Sequence, residues 1–281
     1  MIVRNIINLV NRNQISLNGE HSCKNQVNLE WWKGKTNVGD YLANVVYEWM
    51  LQQRGIDKHT NVGKTKHLLT IGSILAMGNF DATVWGSGIH VTWSISQIFK
   101  QRHYRKYDIR AVRGPITKKI LDAAGYKCPD IFGDPAILMP LIYLPNKIEK
   151  KYDISVVEHL TDNDTNVNDD LCNFINVKTE DYKYFIDEIV SSRKIISSSL
   201  HGIILAETYG IPAVFWNKNM NSEVMKFYDW YLGTGRSDIK IANSLDEAIN
   251  MEPMKLPNLS EMRERLISVF PYDLWETNIK K

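Results

Sequence analysis

The 281-residue chain contains no apolar run approaching the roughly 20 residues needed to cross a bilayer. Its opening segment, MIVRNIINLVNRNQ, is broken by Arg4, Asn5 and Asn8, and no small-residue cleavage site follows, which argues against a signal peptide. Cysteine is scarce. Cys23, Cys128 and Cys172 are odd in number, widely spaced and without a CxxC pair, so neither a disulfide framework nor a zinc site is expected. Charge of one sign is also lacking. A formal net charge of +2 gives no reason to expect a nucleic-acid partner, while leaving room for a local basic groove that holds a small anion. Internal repeats and low-complexity runs are absent. These absences together predict a cytoplasmic protein, with at most peripheral contact at the inner face of the plasma membrane. Trp31 and Trp32 are the residues that would make such a contact; burial in a strand is the other reading of them.

What is present is ordinary for a globular protein: 44% hydrophobic and 23% charged residues, enough to build a core without staples. The length suits two domains. Short apolar runs alternate with amphipathic stretches, the pattern of an α/β architecture. Strands are predicted at Val27–Trp32, His67–Ile71, Ala82–Trp85, Ile109–Val112, Ile154–Val157, Lys194–Ile196 and Ile211–Phe215. Helices are predicted at Asp40–Arg54, from Pro115 towards Gly125, and at Tyr182–Ser192, Ile203–Tyr209 and Leu259–Val269. Ser244-Leu245-Asp246-Glu247 reads as a capping box opening a further short helix. A polar, proline-bearing stretch around Leu144–Lys151 separates residues 1–148 from residues 149–255, and residues 256–281 form a terminal helix that would cross back onto the first domain. Residues 1–25 are hard to place.

The glycine, serine, histidine and arginine clusters fall just after predicted strands. They are Asn37–Asp40, Gly72-Ser73, Gly86–Gly88, Arg113-Gly114 and Ser197–Gly202. In open α/β sheets ligands bind at the carboxyl ends of strands, and helix N-termini there attract anions. All five clusters are therefore expected to face one cleft.

The segments WWKGKTNVGDYL (31–42), IGSIL (71–75), VWGSGI (84–89), AVRGPIT (111–117), GDPAILMP (133–140) and SSSLHGIILAETYGIPAVFW (197–216) are similar, in order, to those of the polysaccharide pyruvyltransferases. They are especially similar to those of the short ketal pyruvyltransferases of the xanthan and succinoglycan type. This resemblance implies a GT-B-like fold of two Rossmann-like domains, with the acceptor on the first and the donor on the second. It implies transfer of pyruvate from phosphoenolpyruvate to two hydroxyls of a sugar in a bacterial capsular or exopolysaccharide precursor. It implies neither a metal nor a prosthetic group, and a lipid-linked glycan is the expected form of the acceptor. The alternatives are a nucleotide-sugar glycosyltransferase of the same fold and a non-catalytic assembly partner.

The donor carries a carboxylate and a phosphate, so its site needs cations and N–H donors. Arg113 offers a planar fork, and Ser198, Ser199, Leu200 and Gly202 surround a helix start. His201 suits the proton traffic of ketal formation, supported by Asp134. Other branches of the family carry arginine two residues before the histidine, where this chain has Ser199. A compensating cation is expected from Arg236 first and Lys226 second. Asn37, Gly39, Asp40, Gly86, Gly88, His90 and His159 are assigned to the acceptor side. Each has a plainer reading: His201 packed in a helix, Arg113 in a structural ion pair, Asp134 shaping a turn, Asn37 and Asp40 capping a helix.

Overall fold

The computed structural model describes residues 12–90, 92–146, 149–162, 172–218 and 224–276. The chain is mixed α/β and builds two parallel sheets, an arrangement compatible with a Rossmann-like fold. The first half supplies β1 (Val27–Glu30), α1 (Val38–Gln52), β2 (Lys66–Leu69), β3 (Ala82–Trp85), α2 (Thr92–Gln101), β4 (Tyr107–Ala111) and α3 (Pro115–Ala123). Its four strands lie side by side in sequence order. A 3-10 turn at Pro135–Leu138 and α4 (Met139–Ile142) follow. The second half supplies β5 (Tyr152–Val157), β6 (Asn173–Ile175), α5 (Tyr182–Val190), β7 (Ser192–Ser197), α6 (Leu200–Thr208), β8 (Ala213–Trp216), α7 (Val224–Gly233), β9 (Ile241–Ala242) and α8 (Leu245–Asn250). Its strand order is β6-β5-β7-β8-β9, which reverses direction between β5 and β7. A final α-helix, α9 (Ser260–Ser268), and a 3-10 turn at Tyr272–Leu274 follow.

Local chemistry accounts for most of these elements. Every residue of β3 and of β8 is buried, as expected for parallel strands covered on both faces. Leu42, Val46 and Met50 line the inner face of α1 at helical spacing, and the Asn37 side chain caps it by accepting from the Gly39 N–H. Pro115 opens α3 at a position where a missing N–H costs nothing. Ser244 accepts from the Glu247 N–H at the start of α8, and the Glu247 carboxylate reaches back to the Asn243 N–H.

One apolar cluster runs through both halves. It joins Leu42 and Met50 of α1, Ala136 to Met139, Ile203 and Leu205 of α6, and Leu266 of α9. The Val38 N–H donates to the Val177 carbonyl at 2.9 Å, a backbone bond between the halves. The C-terminal segment folds onto the first half: Trp85 Nε1 donates to the Leu266 carbonyl at 2.9 Å, and the Tyr272 hydroxyl donates to Met50. Three predicted strands are shorter than expected, among them β8, which starts at Ala213 instead of Ile211. β1 stops at Glu30, leaving Trp31 and Trp32 in the following loop, and β2 stops at Leu69. The helix containing His201 begins at Leu200 rather than Ile203, because Leu200 to Gly202 already adopt its first turn.

Candidate active site

A cleft of about 500 Å³ is walled by loops that leave the carboxyl ends of strands in both sheets. Trp32, Lys35, Asn37 and Asp40 follow β1, Gly72 and Ser73 follow β2, His90 follows β3, and Arg113 follows β4. From the other sheet come His159 to Thr161 after β5, Ser199 to His201 after β7, and Lys226 on α7. His159 and His201 thus flank the point where the strand order reverses, the usual ligand position in such sheets. A larger concavity of about 830 Å³ lies at the opposite, amino ends of β2, β3 and β4, around Lys66, Ala82 and Tyr107. Its lysines are matched by Asp81, Asp108 and Asp273, and the groups suited to chemistry lie in the smaller cleft.

His201 sits in the first turn of α6. Its Nε2 stands 3.6 Å from Asp134 Oδ2. Both atoms are buried, and neither has a hydrogen-bond partner among the described residues. Asp134 reaches this position because residues 131–133 run beside the end of β4: Val112 donates to the Ile131 carbonyl and Gly133 to the Val112 carbonyl. The other oxygen of Asp134 accepts from the Ala136 N–H at 3.0 Å, capping the 3-10 turn. Gly39 lies directly under the imidazole; a Cβ there would collide with His201 Nδ1. Beside it, half-buried Asp40 accepts from the Asn37 side-chain amide at 2.8 Å. Burial pushes the Asp40 carboxyl above the usual range; His201, the Asn37 hydrogen bond and Lys226 pull it back, and Asp134 adds to the rise. The Ser199 side chain makes no capping hydrogen bond, so the first N–H groups of α6 are left available to an anion.

Arg113 is 1% exposed and anchored three ways. Its Nε donates to Asp229 at 3.1 Å, Nη1 to Ser73 Oγ at 2.6 Å and Nη2 to the Ile89 carbonyl at 2.9 Å. Two of its five N–H groups remain for a ligand. Gly88 lets the guanidinium lie flat, since a Cβ there would strike it. Asp229 is buried too and also accepts from the Thr117 N–H and hydroxyl, so this ion pair ties α7 to the start of α3. One turn earlier on α7, Lys226 is 4% exposed, with Nζ 3.3 Å from His159 Nε2.

The remaining expected site residues divide. Asn37, Asp40, His90, His159, Ser199 and Leu200 all line the cleft. Three others support it from behind. The Ser198 hydroxyl donates to Asp162 at 2.5 Å and accepts from the His159 N–H, holding the loop after β5 instead of facing a ligand. Gly202 packs on Ser197 and Val157, and Gly86 on Pro135. Arg236 departs from expectation. Its guanidinium grips Glu207 with two bonds, of 2.6 and 2.8 Å, and is not among the cleft-lining residues. The reason is the carboxylate of Glu207, which is only 2% exposed and needs a cation. Lys226 is therefore the cation from this segment that reaches the cleft.

Sequence reasoning placed Ser73 at the cleft but missed Trp32, Lys35 and Asp229. Trp32 is 37% exposed, so it is not the buried strand residue that a longer β1 would have made it. Asp229 was signalled by its spacing of three from Lys226, which puts both on one helical face. Among the described residues, no group of three His, Cys, Asp or Glu side chains converges as a metal site, and no helix is long and apolar enough to cross a membrane.

Comparison with known proteins adds two relatives and a family. An uncharacterized protein of Acanthamoeba polyphaga mimivirus is 26% identical over 219 residues, 74% of this chain and 74% of that protein. The succinoglycan biosynthesis protein ExoV of Rhizobium meliloti is 31% identical over 134 residues, 45% of this chain and 40% of that protein. The family model described as polysaccharide pyruvyl transferase matches residues 79–216, a span holding Arg113, Asp134, His159 and His201. That match spans just under half of the chain, and with the likeness to ExoV it supports the polysaccharide pyruvyl transferase family and, with it, pyruvyl transfer on polysaccharides.

Proposed function

We propose that the cleft takes phosphoenolpyruvate as donor and forms a cyclic pyruvate ketal across two hydroxyls of a sugar in a polysaccharide precursor. The observation that carries this reading is the charge and position of the described wall. Lys226, Lys35 and the open N-terminus of α6 provide positive potential, and Arg113 adds a partly neutralised guanidinium, around His201 at the strand-order reversal. Phosphoenolpyruvate bears between two and three negative charges near neutral pH, and a helix end supplies only about half a unit. Side-chain cations must do the rest, and Lys226 is the nearest match, supported by the two free N–H groups of Arg113.

His201 is the base that takes the proton of the attacking hydroxyl, and Asp134 stabilises the imidazolium that forms. The two buried, unpartnered atoms at 3.6 Å are what such a pair looks like before substrate draws it together. Trp32 at the mouth, with Asn37 and His90, makes the acceptor side. The two-domain GT-B arrangement, with donor and acceptor on opposite halves, belongs to this same reading.

The test has two steps. Phosphoenolpyruvate should raise the melting temperature and nucleotide sugars should not, because a ligand that binds only the folded state stabilises it. The protein is then incubated with phosphoenolpyruvate and a panel of synthetic lipid-linked mono- and oligosaccharides. A mass gain of one pyruvyl ketal on a panel member supports the reading; stabilisation by a nucleotide sugar with sugar transfer overturns it.

A further inference from the structure

We propose that Asp40 is the acid that protonates the donor's methylene carbon, leaving His201 to take the proton of the attacking hydroxyl. The inference rests on phosphoenolpyruvate being the donor. It begins from a role that Asp40 does not fill. Asp40 stands in the first turn of α1, where a carboxylate ordinarily serves the helix start, but Asn37 already does that by accepting from the Gly39 N–H. The hydrogen bond that Asp40 makes is received from the Asn37 side chain, and it positions the carboxyl inside the cleft. A carboxylate placed in the cleft among groups suited to an anion would oppose the donor, unless it carries a proton when the donor arrives.

The surroundings favour that proton. Burial raises the Asp40 carboxyl, and Asp134 on the 3-10 turn raises it further. His201 on α6, Lys226 on α7 and Asn37 on its own turn pull the other way, and burial outweighs them. A donor with two to three negative charges adds to the upward push.

The chemistry also calls for a second proton-transfer group. The π pair between C2 and C3 of the donor takes the proton of Asp40, so C3 becomes a methyl group. C2 bonds to the first sugar oxygen, whose proton passes to His201. The bond from C2 to the phosphate oxygen then breaks, and phosphate leaves with the proton held by His201. The second hydroxyl bonds to C2, and its proton restores Asp40. Two hydroxyl protons are released, one ending on C3 by way of Asp40 and one on phosphate, so the enzyme returns to its starting state without any outside reductant or base.

The experiment is calorimetric titration of phosphoenolpyruvate into wild type, Asp40→Asn and Asp40→Ser across a pH series that starts in the ordinary carboxylate range, about pH 4, and ends at about pH 9, with turnover measured on the panel glycan that accepts pyruvate. Wild-type affinity should fall as pH rises and Asp40 loses its proton. Every other titrating group is common to both proteins, so the difference between them isolates Asp40. Asp40→Asn should bind about tenfold or more tightly than wild type at the alkaline end, while turnover falls by about 10²-fold or more. Asp40→Ser repeats the binding result if the asparagine variant misfolds. Equal affinities at every pH, or tighter binding with unchanged turnover, overturns the proposal. Wild type that fails to bind phosphoenolpyruvate at all overturns the donor reading instead.

Discussion

His201 Nε2 and Asp134 Oδ2 face one another at 3.6 Å, a few tenths of an ångström beyond a hydrogen bond. Each is buried, and each lacks a partner among the described residues. Leaving two such atoms unpaired costs free energy that a folded protein normally avoids, of the order of 1–3 kcal/mol for each group. Their juxtaposition is therefore best explained by what it does when the ring becomes charged. A proton arriving on the imidazole would turn a near miss into an ion pair.

It follows that His201→Ala should lower turnover by about 10²–10⁴-fold while the melting temperature stays close to wild type. Asp134→Asn makes the sharper test. Its remaining oxygen can still cap the turn at Ala136, so the fold is preserved. The amide cannot stabilise an imidazolium, so turnover should drop with little change in donor affinity. Equal turnover in a well-folded Asp134→Asn protein would remove this pair from the mechanism.

Lys226 and Arg236 should separate cleanly. Lys226→Ala is expected to raise the dissociation constant for phosphoenolpyruvate by about tenfold or more, since a charge-assisted hydrogen bond is worth about 1.5–3 kcal/mol. Arg236→Ala strips the cation from Glu207, which also accepts from Trp230 Nε1, and should destabilise the protein by about 3–5 kcal/mol with little effect on donor affinity. Calorimetry and thermal melting of both variants decide it. The reverse pattern would return Arg236 to the donor.

The alternation of strands and helices was legible because buried parallel strands such as Ala82–Trp85 read as unbroken apolar runs, and because Pro115 and Ser244 mark helix starts chemically. The cleft was legible because its groups follow strands. The three-residue β6 was not, since Asn173–Ile175 gains its identity from pairing with Ser155 to Val157 and not from its own composition. Helix α2 was missed as well. Nor was the partner of each charge legible. The sequence ranked Arg236 ahead of Lys226, and only the position of Glu207 on α6 decides which one is consumed by an ion pair. Arg113 shows the same limit: its partner, Asp229, lies 116 residues away.

That partnership changes what Arg113→Lys should do. A lysine keeps the charge but cannot reach Asp229, Ser73 and Ile89 together. Buried hydrogen-bond partners would be left unsatisfied, so a loss of about 1–3 kcal/mol in stability is expected alongside a raised Michaelis constant for the donor. An unchanged melting temperature would mean that α7 is held to α3 by other contacts.

Gly39 offers a substitution that favours the helix and harms the site. Alanine is the better helix former, by about 0.8–1 kcal/mol in a helix interior. Its Cβ would nevertheless meet the His201 ring. Gly39→Ala should therefore melt at or near the wild-type temperature while losing turnover to a degree approaching His201→Ala. Full activity would show that the imidazole can move aside without consequence.

Trp32 tests the acceptor side by itself. It leaves the end of β1, is 37% exposed, lies against Gly34 and lines the cleft beside Lys35. An exposed indole is costly to keep out of a core unless something covers it in use, and a ring fixed against Gly34 presents a flat apolar face with little entropy left to lose. The CH face of a sugar ring is the matching surface in this chemistry. Trp32 stands away from His201 in the chain and touches none of the donor groups in the hydrogen-bond network around Arg113. Trp32→Ala should therefore raise the acceptor's Michaelis constant by roughly tenfold, equivalent to about 1.4 kcal/mol, and leave the phosphoenolpyruvate dissociation constant unchanged. Trp32→Phe should recover part of the loss, because it restores an aromatic face of smaller area. A weakened donor with an unaffected acceptor would place Trp32 on the wrong side of the cleft, and equal constants in all three proteins would leave the indole without a part in sugar binding.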